Sequence, residues 1–248
     1  MQRIAAASPM QLARMAGGLY LINILGGFFA IGLVPGLLVV DGNAAATADN
    51  IQANELLYRL GIVAHIAINV TSVGLAVIFY DLFKVVNRRL AVLVVFFTLI
   101  GTAVETTSLF NQYLPLVLLN GPHSTALSTE QVQALAYVPI TLMVASYSIN
   151  SIFFGFYGIA IGCLVLRSTF LPAVIGLLLI IGALCYMTYG LAYLIAPSFA
   201  AHLVPYIQLP SLVGEGSFCL WLLIAGVNNQ KWDRVSAAAA TSGLVGAS

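Results

Sequence analysis

Charge is what this sequence has least of. Only 7% of its 248 residues are Asp, Glu, Lys or Arg, against roughly 25% in an ordinary soluble domain. So few charges cannot cover a water-facing surface, which excludes a soluble globular protein. Nine basic residues against eight acidic ones leave a net charge of +1, so nucleic acid is not expected as a partner. Cysteine is scarce too. Cys163, Cys185 and Cys219 all fall inside apolar runs. Their odd number and lack of a ligand-type spacing exclude a disulfide scaffold or a zinc module and leave them as small packing residues. Of three histidines, only His65 lies inside an apolar run, which excludes a bis-histidine haem. No GxSxG, HExxH or phosphate-loop sequence occurs. No cofactor and no metal site is expected. His65, Glu105 and Glu215 are an acceptable ligand set, but no two of them share a helix at a ligand spacing. Nothing in the motifs points to an enzyme.

What is abundant is hydrophobicity, at 61% of residues. About 20 apolar residues cross the hydrocarbon as a helix, and the runs divide into six such segments, at about 10–40, 54–80, 90–113, 141–166, 171–195 and 206–227. The expected fold is all-α: a polytopic membrane protein, one domain over residues 1–230, built as a bundle of six transmembrane helices. The Ala/Ser/Gly-rich stretch 231–248 is expected to be a disordered cytoplasmic tail. Ala16–Val40 is too long for the apolar core of a signal peptide, about 7–15 residues, so the first run counts as a true span.

Local signals mark several boundaries. Ser8–Pro9 reads as an N-cap followed by proline in the first turn. Asp49 with Gln52, and Ser128 with Gln131, have capping-box spacing. The first places the start of the second helix near Asn50. The helix after Ser128 could run to Arg167, nearly twice a bilayer core at ~1.5 Å per residue. A break is therefore expected near Pro139, with the part before it at the interface. Gly32/Gly36 and Gly158/Gly162 have the spacing that lets helices approach closely. Such Gly-rich faces are where a homo-oligomer or a larger membrane complex would form; the lipid bilayer is the other expected partner.

Orientation follows from the basic residues. With six spans, Arg3, Arg14, Lys84, Arg88, Arg89, Arg167, Lys231 and Arg234 all fall on one side. The positive-inside rule makes that side the cytoplasm, with both termini on it. Arg59 is the exception, within a span.

Polar groups inside the spans are costly unless partnered and so mark candidate sites. Glu55–Tyr80 carries Arg59, His65 and Asn69. In the third span Thr98, Gly101, Thr102, Glu105, Ser108 and Gln112 form one small and polar stripe, expected to face protein. Asn150, Tyr147, Tyr186, Tyr189 and Glu215 fall at comparable depth in the later spans. Their convergence predicts an outward-facing polar pocket whose ligand- or proton-binding candidates are Arg59, His65, Asn69, Glu105, Asn150, Tyr186 and Glu215. Arg59 can pair with Glu55 one turn earlier, or reach Glu105 or Glu215 across the bundle. His65 and one of the acids can share a proton.

Four stretches carry a family likeness. ARMAGGLYLI (Ala13–Ile22), AATADNIQANELLYRLGIV (Ala45–Val63), FFGFYGIAIGCLVLRSTFLPAVIGLLL (Phe153–Leu179) and LPSLVGEGSFCLWLLIAGV (Leu209–Val227) resemble a family of bacterial integral membrane proteins known as domain of unknown function 4386. The resemblance implies a bacterial cytoplasmic (inner) membrane protein of this topology and implies no reaction. It is weakest over the third span, so it lends Glu105 no support. Three readings follow: a membrane-embedded protein that binds a small polar or amphiphilic ligand, an accessory subunit of a larger complex, or a membrane enzyme using a His/Glu pair. They differ in geometry: a cavity, a dry ion-pair network, or a poised acid–base pair.

Overall fold

The computed structural model describes residues 8–121 and 127–245. Arg3, residues 122–126 of the loop after the third span and residues 246–248 of the tail lie outside the described residues. Helix α1 spans Pro9–Leu38. It opens with the expected capping box, Ser8 Oγ accepting from the Gln11 amide while Gln11 Oε1 accepts from the Ser8 amide. The turn Phe28–Leu33 widens to a π-helix just ahead of Pro35, where the proline ring crowds the preceding turn and removes one backbone donor.

After a turn at Gly42, whose positive φ of 71° suits glycine, a short helix α2 covers Ala44–Ala53 with Asn43 as its N-cap. The expected helix start near Asn50 is thus corrected. Asn50 belongs to α2, and Asn54, bonding the Asn50 carbonyl at 3.0 Å, marks the bend into α3, Glu55–Phe83. Helix α4, Arg88–Asn120, is capped by Asn87 and runs beyond the sequence-predicted end at Tyr113, through the buried Pro115.

Helix α5, Thr129–Arg167, is one continuous helix of 39 residues. The expected break at Pro139 does not occur. Proline removes a single backbone bond there, while the helix packs along its length on α4, on α6 (Ala173–Ile195) and on α2, and packing outweighs one missing bond. A short helix α7, Pro197–Leu203, and α8, Tyr206–Ile224, follow. The expected disordered tail is also corrected: Asn229–Val245 is a helix, α9. Asn228 caps its first turn, and Trp232 packs against the core and donates its indole N–H to the Leu82 carbonyl at 2.9 Å. The run of alanines that lowers sequence complexity is also the best helix former.

Six of these helices are long and apolar enough to cross a membrane. Each packs on the next in chain order, α1 on α3, α3 on α4, α4 on α5, α5 on α6 and α6 on α8, and α8 closes the circuit on α1. The bundle is therefore a ring. Large apolar side chains such as Leu25, Phe28, Val70, Phe96, Phe110 and Leu177 cover its outside, as lipid requires. The α5–α6 seam is the tightest. A Cβ on Gly162 would stand 2.8 Å from the Gly176 carbonyl, and one on Gly176 would stand 2.7 Å from the Gly162 carbonyl. The Gly158/Gly162 pair is therefore spent inside the protomer, whereas nothing lies within 4 Å of a Cβ at Gly18, Gly27 or Gly36 on α1.

A ring of six helices must fill its axis. One end is closed by an aromatic and aliphatic core that includes Tyr20, Phe79, Phe83, Phe170 and Phe218. Phe79 stacks on Phe218 with centroids 5.5 Å apart, and Tyr20 meets both edge-on. The other end is closed by Val34, Leu38, Tyr58, Leu116 and Ile140, with Ile51 of α2 plugged among them. Between the two cores lies a space lined by polar and apolar side chains together.

Candidate functional site

The space between the cores is a cavity of about 210 Å³, walled by α1, α3, α4, α5, α6 and α8. Its centre is His65 on α3. The ring is 3% exposed and bonded at both nitrogens to one partner helix. Nε2 lies 3.0 Å from Glu105 Oε2 and Nδ1 lies 3.1 Å from Gln112 Oε1. Glu105 and Gln112 are seven residues apart, hence on one face of α4. Asn150 on α5 donates from Nδ2 to Glu105 Oε1 at 2.7 Å, and the Gln112 carbonyl accepts from the Tyr58 hydroxyl at 2.8 Å. The chain Gln112–His65–Glu105–Asn150 thus ties three helices together.

The bonding pattern dictates a proton count. With the Gln112 amide oxygen facing it, Nδ1 carries a hydrogen. One proton then lies between Nε2 and Oε2, and whichever atom holds it, the pair is neutral overall. Asn150 is oriented by the same logic. Its NH₂ must face the carboxylate, so Oδ1 turns away, buried without a donor, into the place where a Cβ on Gly101 would stand. Gly101 leaves room for that oxygen.

Glu215 on α8 lines the same cavity. The residue is half-buried. The hydroxyls of Tyr20 and Tyr186 face it, with Tyr147 and Tyr157 nearby. A void of about 10 Å³, the size of a single water, sits behind it beside Ser211 and Gly182. Near the α1 wall, Asn23 accepts from Thr71 and donates to Ser72 at 3.1 Å.

Of the seven residues singled out in the sequence, the cavity gathers six: His65, Asn69, Glu105, Asn150, Tyr186 and Glu215 all line it. Asn69 also donates to Thr106 at 3.2 Å. Arg59 stands apart. It forms an ion pair of 2.6 Å with Glu55, both side chains well exposed, and Asn120 holds the other Glu55 oxygen. The local partner one turn away prevails over the distant acids. Tyr189 is buried against Tyr147 and does not line the cavity. The polar stripe of α4 does face inward, and Gln112 belongs to the site through its seven-residue spacing from Glu105. Tyr20 carries no comparable signal, being one aromatic in an apolar run. Among the described residues no group of three or more His, Cys, Asp or Glu side chains is placed to hold a metal ion; Glu215 does not join His65 and Glu105 in one set.

A ring of six helices long and apolar enough to cross a membrane defines this as a polytopic α-helical membrane protein. The chain belongs to the family described as Domain of unknown function (DUF4386), which matches residues 15–226 and so takes in every residue of the site. No curated protein and no solved structure matches it.

Proposed function

We propose that this is a membrane-embedded binding protein whose chamber holds a small polar or amphiphilic ligand. The setting would be a bacterial inner membrane with both termini cytoplasmic. The observation that carries this reading is the roughly 210 Å³ of space kept open between two close-packed cores and lined by His65, Glu105, Asn150 and Glu215. A purely structural polar network gains nothing from such space. Apolar side chains filling it would stabilise the bundle by dispersion and by removing the cost of buried polar groups.

The enzyme reading fits less well. A general base needs a free nitrogen within reach of the substrate proton, and both nitrogens of His65 are bonded within the protein. The binding reading is tested by thermal unfolding in neutral detergent with a panel of metabolites and lipids. A compound that raises the melting temperature of the wild type but not of Glu215→Gln supports it. A panel that moves neither, with Glu215→Gln strongly destabilised, favours the accessory-subunit reading.

A further inference from the structure

The wall of the chamber has a definite charge character. Among the described residues lining it there are two carboxyl groups and one histidine, and no Lys or Arg. The His65–Glu105 pair is neutral as a unit, and Asn150 occupies the second Glu105 oxygen. That leaves Glu215. The side chains that face it are tyrosines, from α1, α5 and α6, and none is basic. A carboxylate inside an apolar bundle has to be neutralised by a proton or by a cation, and here the protein provides no cation.

The rest of the wall near Glu215 is aromatic. Seven of the lining residues are Phe or Tyr. Phe154 stacks on Tyr157 with centroids 5.1 Å apart and meets Tyr186 edge-on at 5.2 Å. Aromatic faces are electron-rich and attract a cation within about 6 Å, more strongly when it is desolvated. An anion would meet the carboxylate and the negative ring faces together. With a neutral ligand Glu215 would have to carry its own proton, whereas a cation matches the carboxylate directly.

We propose that the ligand is a small organic ammonium ion, held with its charge against Glu215 and its carbon atoms against Tyr186, Tyr157 and Phe154. This rests on the reading of the chamber as a binding site. One water needs about 10–15 Å³ on this measure, so the chamber of about 210 Å³ has ample room for a molecule of about seven non-hydrogen atoms.

Three probes of nearly equal shape test it on the full chain in neutral detergent by isothermal titration: 3,3-dimethylbutylammonium, the alcohol 3,3-dimethylbutan-1-ol and the anion pivalate. The ammonium is expected to bind at least about tenfold more tightly than the alcohol, a difference of about 1.4 kcal/mol, and pivalate is expected not to bind. In Glu215→Gln the preference for the ammonium over the alcohol should disappear. The wild-type comparison stands even where that variant fails to fold. Equal binding of ammonium and alcohol, tightest binding of pivalate, or an undiminished preference in Glu215→Gln overturns the cation assignment and leaves the binding reading intact. Silence of all three probes while another panel compound stabilises the protein does the same. Silence of probes and panel alike overturns both.

Discussion

His65 Nε2 stands 3.0 Å from Glu105 Oε2, and this pair joins α3 to α4 at the centre of the ring. His65 is buried and the Glu105 side chain is 12% exposed, so neither has water as an adequate substitute. Glu105→Ala would strand the His65 Nε2 and the Asn150 amide together, at about 1–3 kcal/mol for each group left unpaired. A clear fall in the melting temperature in detergent is expected. Glu105→Gln, which keeps one acceptor and the side-chain shape, should fall less. Equal melting temperatures for wild type and Glu105→Ala would show that the pair contributes nothing.

Gly101→Ala probes the same network from outside the hydrogen-bonding groups. The new Cβ would sit 2.6 Å from Asn150 Oδ1, so the amide must swing and its 2.7 Å bond to Glu105 must lengthen or break. The loss expected is about 1.5–3 kcal/mol, the range of one hydrogen bond to a charged group. In the double variant with Asn150→Ala the two effects should not add, because they remove the same bond. Simple additivity in unfolding experiments would contradict this.

The α5–α6 seam should be unforgiving as well. Gly162→Val places a branched side chain against the Gly176 carbonyl and Ile180, where backbone cannot retreat cheaply, and overpacking costs about 1–3 kcal/mol or more. Gly36→Val on α1, with nothing within 4 Å, should leave the melting temperature of the monomer unchanged. Similar losses for the two would mean that the seam is not the close contact described.

Arg59→Ala should change neither stability nor any ligand response measurably. Its ion pair with Glu55 is exposed and local, and such pairs contribute little. A loss of ligand response in Arg59→Ala would draw the site toward that end of the ring.

Much of this was readable before the fold was known, for reasons that differ by residue. Six spans follow from long apolar runs separated by polar ones, a pattern lipid imposes directly. His65, Glu105, Asn150 and Glu215 stood out because polar groups in apolar runs need partners, and similar depth in different spans brings them together. Their pairing could not be read: which atom meets which depends on helix rotation, and the weak amphipathicity of these helices hides it. Arg59 looked like part of the site because depth alone does not separate it from His65; the competition from Glu55 decides. The break expected at Pro139 and the disorder expected of the Ala-rich tail fail for the same reason: a single local tendency is opposed by packing and by helix propensity. Tyr20 was invisible because a tyrosine in an apolar run signals nothing until its neighbours are known.

The central claim is that the space inside the ring is a binding chamber, and filling it is the direct test. Thr102 lines the chamber from α4, and Thr102→Phe would occupy much of the space without adding charge. Thermal unfolding of wild type and Thr102→Phe should be compared with and without the best-stabilising compound of the panel. The filled variant is expected to be folded and at least as stable as the wild type without compound, and to lose most of the ligand-induced shift. The same ligand-induced shift in both proteins would place binding elsewhere and contradict the account.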